Sequence, residues 1–172
     1  MKDKQRRYLI IGPSWIGDMV MAQSLFITLK QQHPDCLIDV VAPQWSLPVL
    51  KRMLEVNEGI SADVAHGEFS FLKRRALGKS LTSRKYTDAI VIPRSWKSAV
   101  IPFFAGIPKR TGYRGEMRYG LLNDIRRLDK SVLKQTVQRY VAHAYENDPD
   151  TPPKIPYPVL QVDDKNQQQI LD

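Results

Sequence analysis

One carboxylate and a group of cations carry the chemistry in this sequence. The carboxylate is Asp18, in the run Gly12-Pro13-Ser14-Trp15-Ile16-Gly17-Asp18-Met19. In a cleft, an aspartate so placed can act as a general base, taking the proton of a hydroxyl nucleophile. The cations are Lys97, after Arg94-Ser95-Trp96, and the arginines of Arg110-Thr111-Gly112-Tyr113-Arg114-Gly115-Glu116-Met117-Arg118-Tyr119-Gly120. Arginine presents a planar fork of N–H donors that matches carboxylate and phosphate.

The elements around Asp18 limit what it can do. Tyr8-Leu9-Ile10-Ile11 is an apolar run ahead of the loop, and a helical pattern extends beyond it to about Gln32. A strand, a glycine loop and a helix make the first βα unit of an α/β domain. Ligands of such sheets collect at the carboxyl ends of the strands. Gly12 and Gly17 have the spacing of a phosphate-binding P-loop, but that motif needs Lys and Ser or Thr next. Here Asp18 and Met19 follow, and an anion in the lysine's place repels nucleotide phosphate. The dinucleotide fingerprint G-x-G-x-x-G fails because position 14 is serine. Two roles stay open from the loop alone. Asp18 either satisfies helix N-terminal amides and the dipole, or it is a base.

The whole chain narrows the classes. Its 172 residues suit about one domain, and 42% hydrophobic content suffices for a core. No run approaches the roughly 18 apolar residues of a membrane span. The first seven residues are charged and lack the apolar segment of a signal peptide. The single cysteine, Cys36, excludes an internal disulfide and a cysteine-rich zinc site. These features lead us to expect a cytoplasmic protein. The formal charge is +8, and it is uneven. Lys73 to Arg139 holds 17 Lys/Arg against 4 Asp/Glu, while the rest of the chain is net acidic. Such a block suggests an anionic partner (nucleic acid, phosphorylated glycan or membrane surface), with a solvated basic face as the alternative.

The remaining pattern reads as alternating strands and helices. The apolar stripe of the first helix is Met19, Ala22, Leu25, Phe26 and Leu29. Strands are expected at Leu37–Ala42, Ile60–Val64, Asp88–Pro93 and within Gly106–Tyr113. Helices are expected at about 46–54, at Phe69 to Lys85 as a basic amphipathic segment, at Ala99–Ala105 and at Ser131–Tyr145. Arg139 and His143 read as surface polar groups of the last of these. The basic segment is read as a solvated face, with a membrane-surface contact as the alternative. Lys97 precedes a helix, where the dipole disfavours a cation. Either an anion is shared by the lysine and the helix amides, or the lysine simply extends into water. From residue 148 a proline-rich break leads into an extended piece, Tyr157 to Val162, and then to a capped helix interrupted at Asp172. The expected organisation is a domain over 1–147, followed at 148–172 by a linker toward a second domain of a longer protein.

Laid out in this way, the chain resembles the ADP-heptose–lipopolysaccharide heptosyltransferases of glycosyltransferase family 9. The residues that carry the likeness are Gly12 to Met19, Gln23-Ser-Leu, Ile38-Asp-Val-Val-Ala-Pro, Glu55-Val-Asn-Glu, Lys97-Ser-Ala, Pro102-Phe-Phe-Ala-Gly-Ile-Pro and the block Arg110 to Asp124. Where the family pattern has Asn-Ser-Phe-Lys-Ser, this chain has Arg94-Ser95-Trp96-Lys97-Ser98, which changes the first residue and keeps the lysine.

The resemblance implies a GT-B enzyme, with two Rossmann-like domains facing across a cleft. The N-terminal domain would hold the acceptor and the C-terminal domain the donor, ADP-L-glycero-D-manno-heptose. Heptose would pass, with inversion and without a metal or other cofactor, to the first heptose of the lipopolysaccharide inner core. The acceptor, heptosyl-Kdo2-lipid A, is anionic and lipid-borne, so peripheral contact with the inner membrane follows as an expectation. Asp18 matches the family's loop aspartate and is expected to be the base. Lys97, Arg110, Arg114 and Arg118 are the cations expected around the acceptor, with Ser14, Gly12 and Gly17 shaping the pocket floor. This half alone is expected to bind acceptor and to be inactive. The alternative reading is a basic α/β module that binds nucleic acid.

Overall fold

Three apolar runs become the centre of one parallel sheet. The computed structural model describes residues 5–62, 70–147 and 149–162. The strands are β1 (Arg7–Ile11), β2 (Leu37–Ala42), β3 (Glu58–Ser61), β4 (Asp88–Val91), β5 (Lys109–Tyr113) and β6 (Asp124–Arg126). Their order is β3-β2-β1-β4-β5-β6, and every neighbouring pair is parallel. This is the doubly wound Rossmann arrangement, and the order reverses between β1 and β4. The helices are α1 (Ile16–Gln32), α2 (Leu47–Leu50), α3 (Phe71–Ser80), α4 (Val100–Phe104) and α5 (Thr136–Ala142).

Strands buried on both faces need apolar residues throughout, and β1 shows how they are divided. Tyr8 and Ile10 pack with Met19, Ala22, Leu25, Phe26 and Leu29 of α1, on the side that α5 also covers. Leu9 and Ile11 face the other side, toward Leu77 of α3 and Ile101 of α4. The predicted stripe of α1 is therefore core. Gln23 and Ser24 of the same helix are buried as well, because the chain returns over them. Ser24 Oγ donates to the Pro156 carbonyl at 2.7 Å, and Gln161 N donates to the Arg52 carbonyl at 2.9 Å. The extended piece expected to lie in a linker is held against the domain.

A carboxylate is buried in the sheet. Asp39 on β2 is 1% exposed. It accepts from Asn57 Nδ2 at 2.8 Å, Tyr86 OH at 2.5 Å and Arg84 Nη1 at 3.3 Å. A buried carboxylate is tolerated because its oxygens are bonded in this way.

Several boundaries differ from expectation. The helix expected at 46–54 is a 3₁₀ turn, Gln44–Ser46, followed by the four residues of α2. The basic helix stops at Ser80, and Thr82–Arg84 is a 3₁₀ turn closed by Lys85 at φ 52°. A 3₁₀ turn, Trp96–Ala99, precedes α4. The last helix shortens to α5, whose start is marked by Gln138 Oε1 accepting from Gln135 N at 2.8 Å. Strand β3 begins two residues early, and β6 was not foreseen. The expected helix after Asp163, residues 63–64 of the expected third strand and Phe69 lie outside the described residues. No described helix is long and apolar enough to cross a membrane.

Candidate functional site

Two clefts open at the carboxyl ends of β1, β2, β4 and β5, on either side of the point where strand order reverses. Ser14 and Pro93 line both and form the wall between them. The loop after β1 reaches that wall because Gly12 lies close against the sheet. Its amide donates to the Val41 carbonyl at 2.9 Å. A Cβ there would stand 2.6 Å from Met19 Cε and 3.3 Å from the Val41 oxygen. The Ser14 carbonyl accepts from Trp45 Nε1 at 2.9 Å, which ties the loop to the chain beyond β2.

Asp18 lies half-buried in the first turn of α1 and lines the larger cleft, of about 410 Å³. Its Oδ1 accepts from the Tyr140 hydroxyl of α5 at 3.2 Å. Among the described residues, this bond to another helix is the one its carboxylate makes, rather than a cap on the α1 amides. Burial and the Asp18 charge push the Tyr140 phenol well above the ordinary tyrosine range, so it stays a donor. Arg139, Arg94, Tyr113 and His143 line the same cleft. Arg139 donates to the carbonyls of Leu133 (3.0 Å) and Lys134 (2.9 Å), which holds its guanidinium in place. Arg94 is held in the same way, with Nε and Nη2 on the Arg114 carbonyl at 3.2 and 2.9 Å. His143, expected at the surface, is 4% exposed. Its Nδ1 lies 2.9 Å from the Arg139 carbonyl, which assigns the ring proton to that nitrogen. Burial and the nearby Arg126 charge push its pKa down to about 4.

The smaller cleft, of about 230 Å³, holds Lys97 and Arg74 with Ser95, Ser98 and Trp45. Its described lining contains two cations and no carboxylate. Burial pushes the Arg74 guanidinium below its usual value, and its Nε is buried without a described hydrogen-bond partner. The cleft is therefore suited to an anion that brings its own acceptors. The anion expected at the helix start after β4 is partly internal, because Glu116 Oε2 accepts from Trp96 N at 3.0 Å.

Four of the expected site residues meet at this double cleft: Asp18, Gly12, Ser14 and Lys97. The others do not. Arg110 stands near the beginning of β5, about 10 Å of strand from its carboxyl end. Its guanidinium donates to the Leu121 and Ile107 carbonyls and lies over the Phe103 ring. Arg118 is 1% exposed and donates to the carbonyls of Pro93 and Tyr113. The β5–β6 connection has no helix to cover the strand ends, and Arg118 satisfies those carbonyls instead. Both residues are structural cations here, which corrects their expected place at the acceptor. Arg114 is exposed and lines a separate hollow with Tyr119 and Arg127. Gly17 is exposed on α1 and lines neither cleft, so only Gly12 and Ser14 form floor and wall. Gly115 matters for a different reason. A Cβ there would overlap the Arg94 carbonyl oxygen, so the glycine lets the two loops touch.

Local spacing missed Tyr140, Arg139 and Arg74. Tyr140 is 122 positions from Asp18, and nothing in the helical pattern of α5 singles it out.

Comparisons with known proteins agree with this architecture. A family model described as glycosyltransferase family 9 (heptosyltransferase) matches residues 74–172. The chain is 52% identical over 161 residues to lipopolysaccharide heptosyltransferase 2 of Escherichia coli strain K12, covering 91% of this chain and 46% of that protein. It is 50% identical over 163 residues to lipooligosaccharide heptosyltransferase 2 of Haemophilus ducreyi, covering 92% and 46%. The solved E. coli ADP-heptose lps heptosyltransferase II superimposes with a TM-score of 0.79 at 48% identity, over 95% of this chain and 49% of that one. A family 9 glycosyl transferase from Veillonella parvula gives 0.80 at 15% identity, over 99% and 49%, which speaks for the fold alone. The chain spans about half the length of the curated relatives it matches.

Proposed function

The chain belongs to glycosyltransferase family 9, and from that premise we propose that it is the acceptor-binding half of an inverting heptosyltransferase. The acceptor is the heptosyl inner core of lipopolysaccharide, and the donor is ADP-heptose held mainly by the other half of the enzyme. The observation that carries this reading is the double cleft, with Asp18 on one side of the Ser14–Pro93 wall and Lys97 with Arg74 on the other. It offers one base beside one anion site, at the position where doubly wound sheets bind ligands.

The reaction is a single displacement. The acceptor hydroxyl oxygen attacks the anomeric carbon, and the carbon–oxygen bond to ADP breaks. The electron pair of that bond leaves with ADP, and the hydroxyl proton passes to Asp18. Lys97 and Arg74 hold an acidic group of the acceptor and so orient the attacking hydroxyl. Because the acceptor is carried on a lipid, the protein works at the membrane surface. The basic outer side of α3, with Lys73, Arg75 and exposed Leu72, supports that placement.

The test is Asp18→Asn, in the shortest form of the protein that transfers heptose. Turnover is expected to fall by at least about a hundredfold, with ADP-heptose affinity retained. Near-normal turnover would remove Asp18 from the role of base. Lys97→Ala is expected to raise KM for the acceptor and to leave KM for the donor unchanged.

A further inference from the structure

We infer that Tyr140 is a positioning residue, which holds the Asp18 carboxylate in the orientation that accepts the proton. This inference rests on the reading of Asp18 as the base. An aspartate on the first turn of a helix is anchored at its Cα, but its carboxylate can still rotate about the last side-chain bond. The Tyr140 hydroxyl removes that freedom. It donates to Oδ1 at 3.2 Å, which leaves Oδ2 to receive the acceptor hydroxyl.

A positioning group must itself be fixed, and Tyr140 is. Its ring is half-buried against the core beneath α1. The end of α5 is tied to the sheet by Arg126 of β6, whose Nη1 donates to the carbonyls of Ala142 (3.3 Å) and Tyr145 (2.5 Å). The turn after Tyr140 is closed by His143 Nδ1 on the Arg139 carbonyl. A continuous path therefore runs from β6 through α5 to one oxygen of Asp18. The aspartate is presented to the cleft by two helices rather than by its own loop.

A plain structural role would have Tyr140 join α5 to α1 and do nothing more. Tyr140→Phe separates the two roles, because it removes one oxygen and keeps the packed ring. The measurements are kcat, both KM values and thermal stability, again in the shortest form that transfers heptose. We expect kcat to fall roughly ten- to hundredfold, both KM values to stay within about twofold, and the melting temperature to hold. Unchanged kcat overturns the inference. So does a rise in acceptor KM at constant kcat, or a loss of stability that accounts for the lost activity.

The double variant gives a second criterion. If Tyr140 acts through Asp18, adding Tyr140→Phe to Asp18→Asn costs no further activity. A full additional loss would mean that Tyr140 acts on its own and would overturn the inference. Normal turnover by Asp18→Asn alone would instead refute the base reading, which is a separate result.

Discussion

Gln23 binds the backbone of Val159 through both ends of its side-chain amide. Nε2 donates to the Val159 carbonyl at 2.8 Å, and Oε1 accepts from the Val159 amide at 3.1 Å. Gln23 is fully buried on α1 and also reaches Glu55 Oε2 at 3.0 Å. The helix that carries Asp18 thus grips the returning chain five residues further along. Gln23→Ala would leave the Val159 groups unpartnered and open a cavity. We expect a loss of about 2 kcal/mol, read in denaturant unfolding, and faster proteolysis between Tyr157 and Val162. Unchanged stability would mean that the returning segment is not held by this contact.

Arg118 and Arg114 stand four residues apart and predict opposite behaviour. Arg118 is buried on two carbonyls, and Arg114 is exposed. Arg118→Met should destabilise the domain by roughly 3 kcal/mol, and Arg118→Lys should not restore it, since lysine lacks the fork. Arg114→Ala should stay within about 0.5 kcal/mol. Urea unfolding of the three variants decides the matter, and a neutral Arg118→Met would return that residue to the acceptor contacts.

The glycines divide in the same manner. Gly17 is helical, and a Cβ there meets nothing within 4 Å. Gly17→Ala should raise stability by up to about 1 kcal/mol. Gly115→Ala would push the β5–β6 connection away from Arg94 and should lower the melting temperature. Calorimetry on the two variants should give shifts of opposite sign.

His143 makes stability depend on pH. It is neutral in the fold, with its pKa pushed down to about 4 by burial and the Arg126 charge, against about 6.5 when unfolded. The Arg118 charge acts in the same direction, and Tyr113 packs edge-on to the ring at 4.5 Å. Between these two values the unfolded chain binds the proton that the fold refuses. Stability is therefore complete above about pH 6.5 and falls as pH drops toward 4. The contribution is about 3 kcal/mol at most. Thermal melts from pH 7 to pH 4.5 should fall more steeply for the parent chain than for His143→Gln. Parallel curves would show that carboxylates alone set the acid limb.

Much of the fold was legible because parallel strands must be apolar on both faces. Tyr8–Ile11, Leu37–Ala42 and Asp88–Val91 announce themselves through composition alone. The three-residue strand β6, Asp-Ile-Arg, carries no such mark, since its place comes from pairing with β5. α5 was expected at about twice its length because Val132 stands in helical register with Val137, Val141 and Ala144, and Leu133 lies beside it. In the structure Val132 and Leu133 pack beside Tyr113 ahead of the helix.

The sequence alone determined the strand–loop–helix unit, the aspartate at its turn, the basic second half and the family. These depend on residue type and on neighbours a few positions apart. The tertiary structure decided which cations line the double cleft. Arg110 and Arg118 read as the equals of Lys97 in a charge count, yet both are bonded to main-chain carbonyls that only the packed loops bring near. It also moved Arg139 and His143 from the surface to the cleft, and it brought Tyr140 to Asp18. A side chain's bonding partners depend on distance in space, and for these residues the partner lies on an element far along the chain or in a loop whose path only packing fixes.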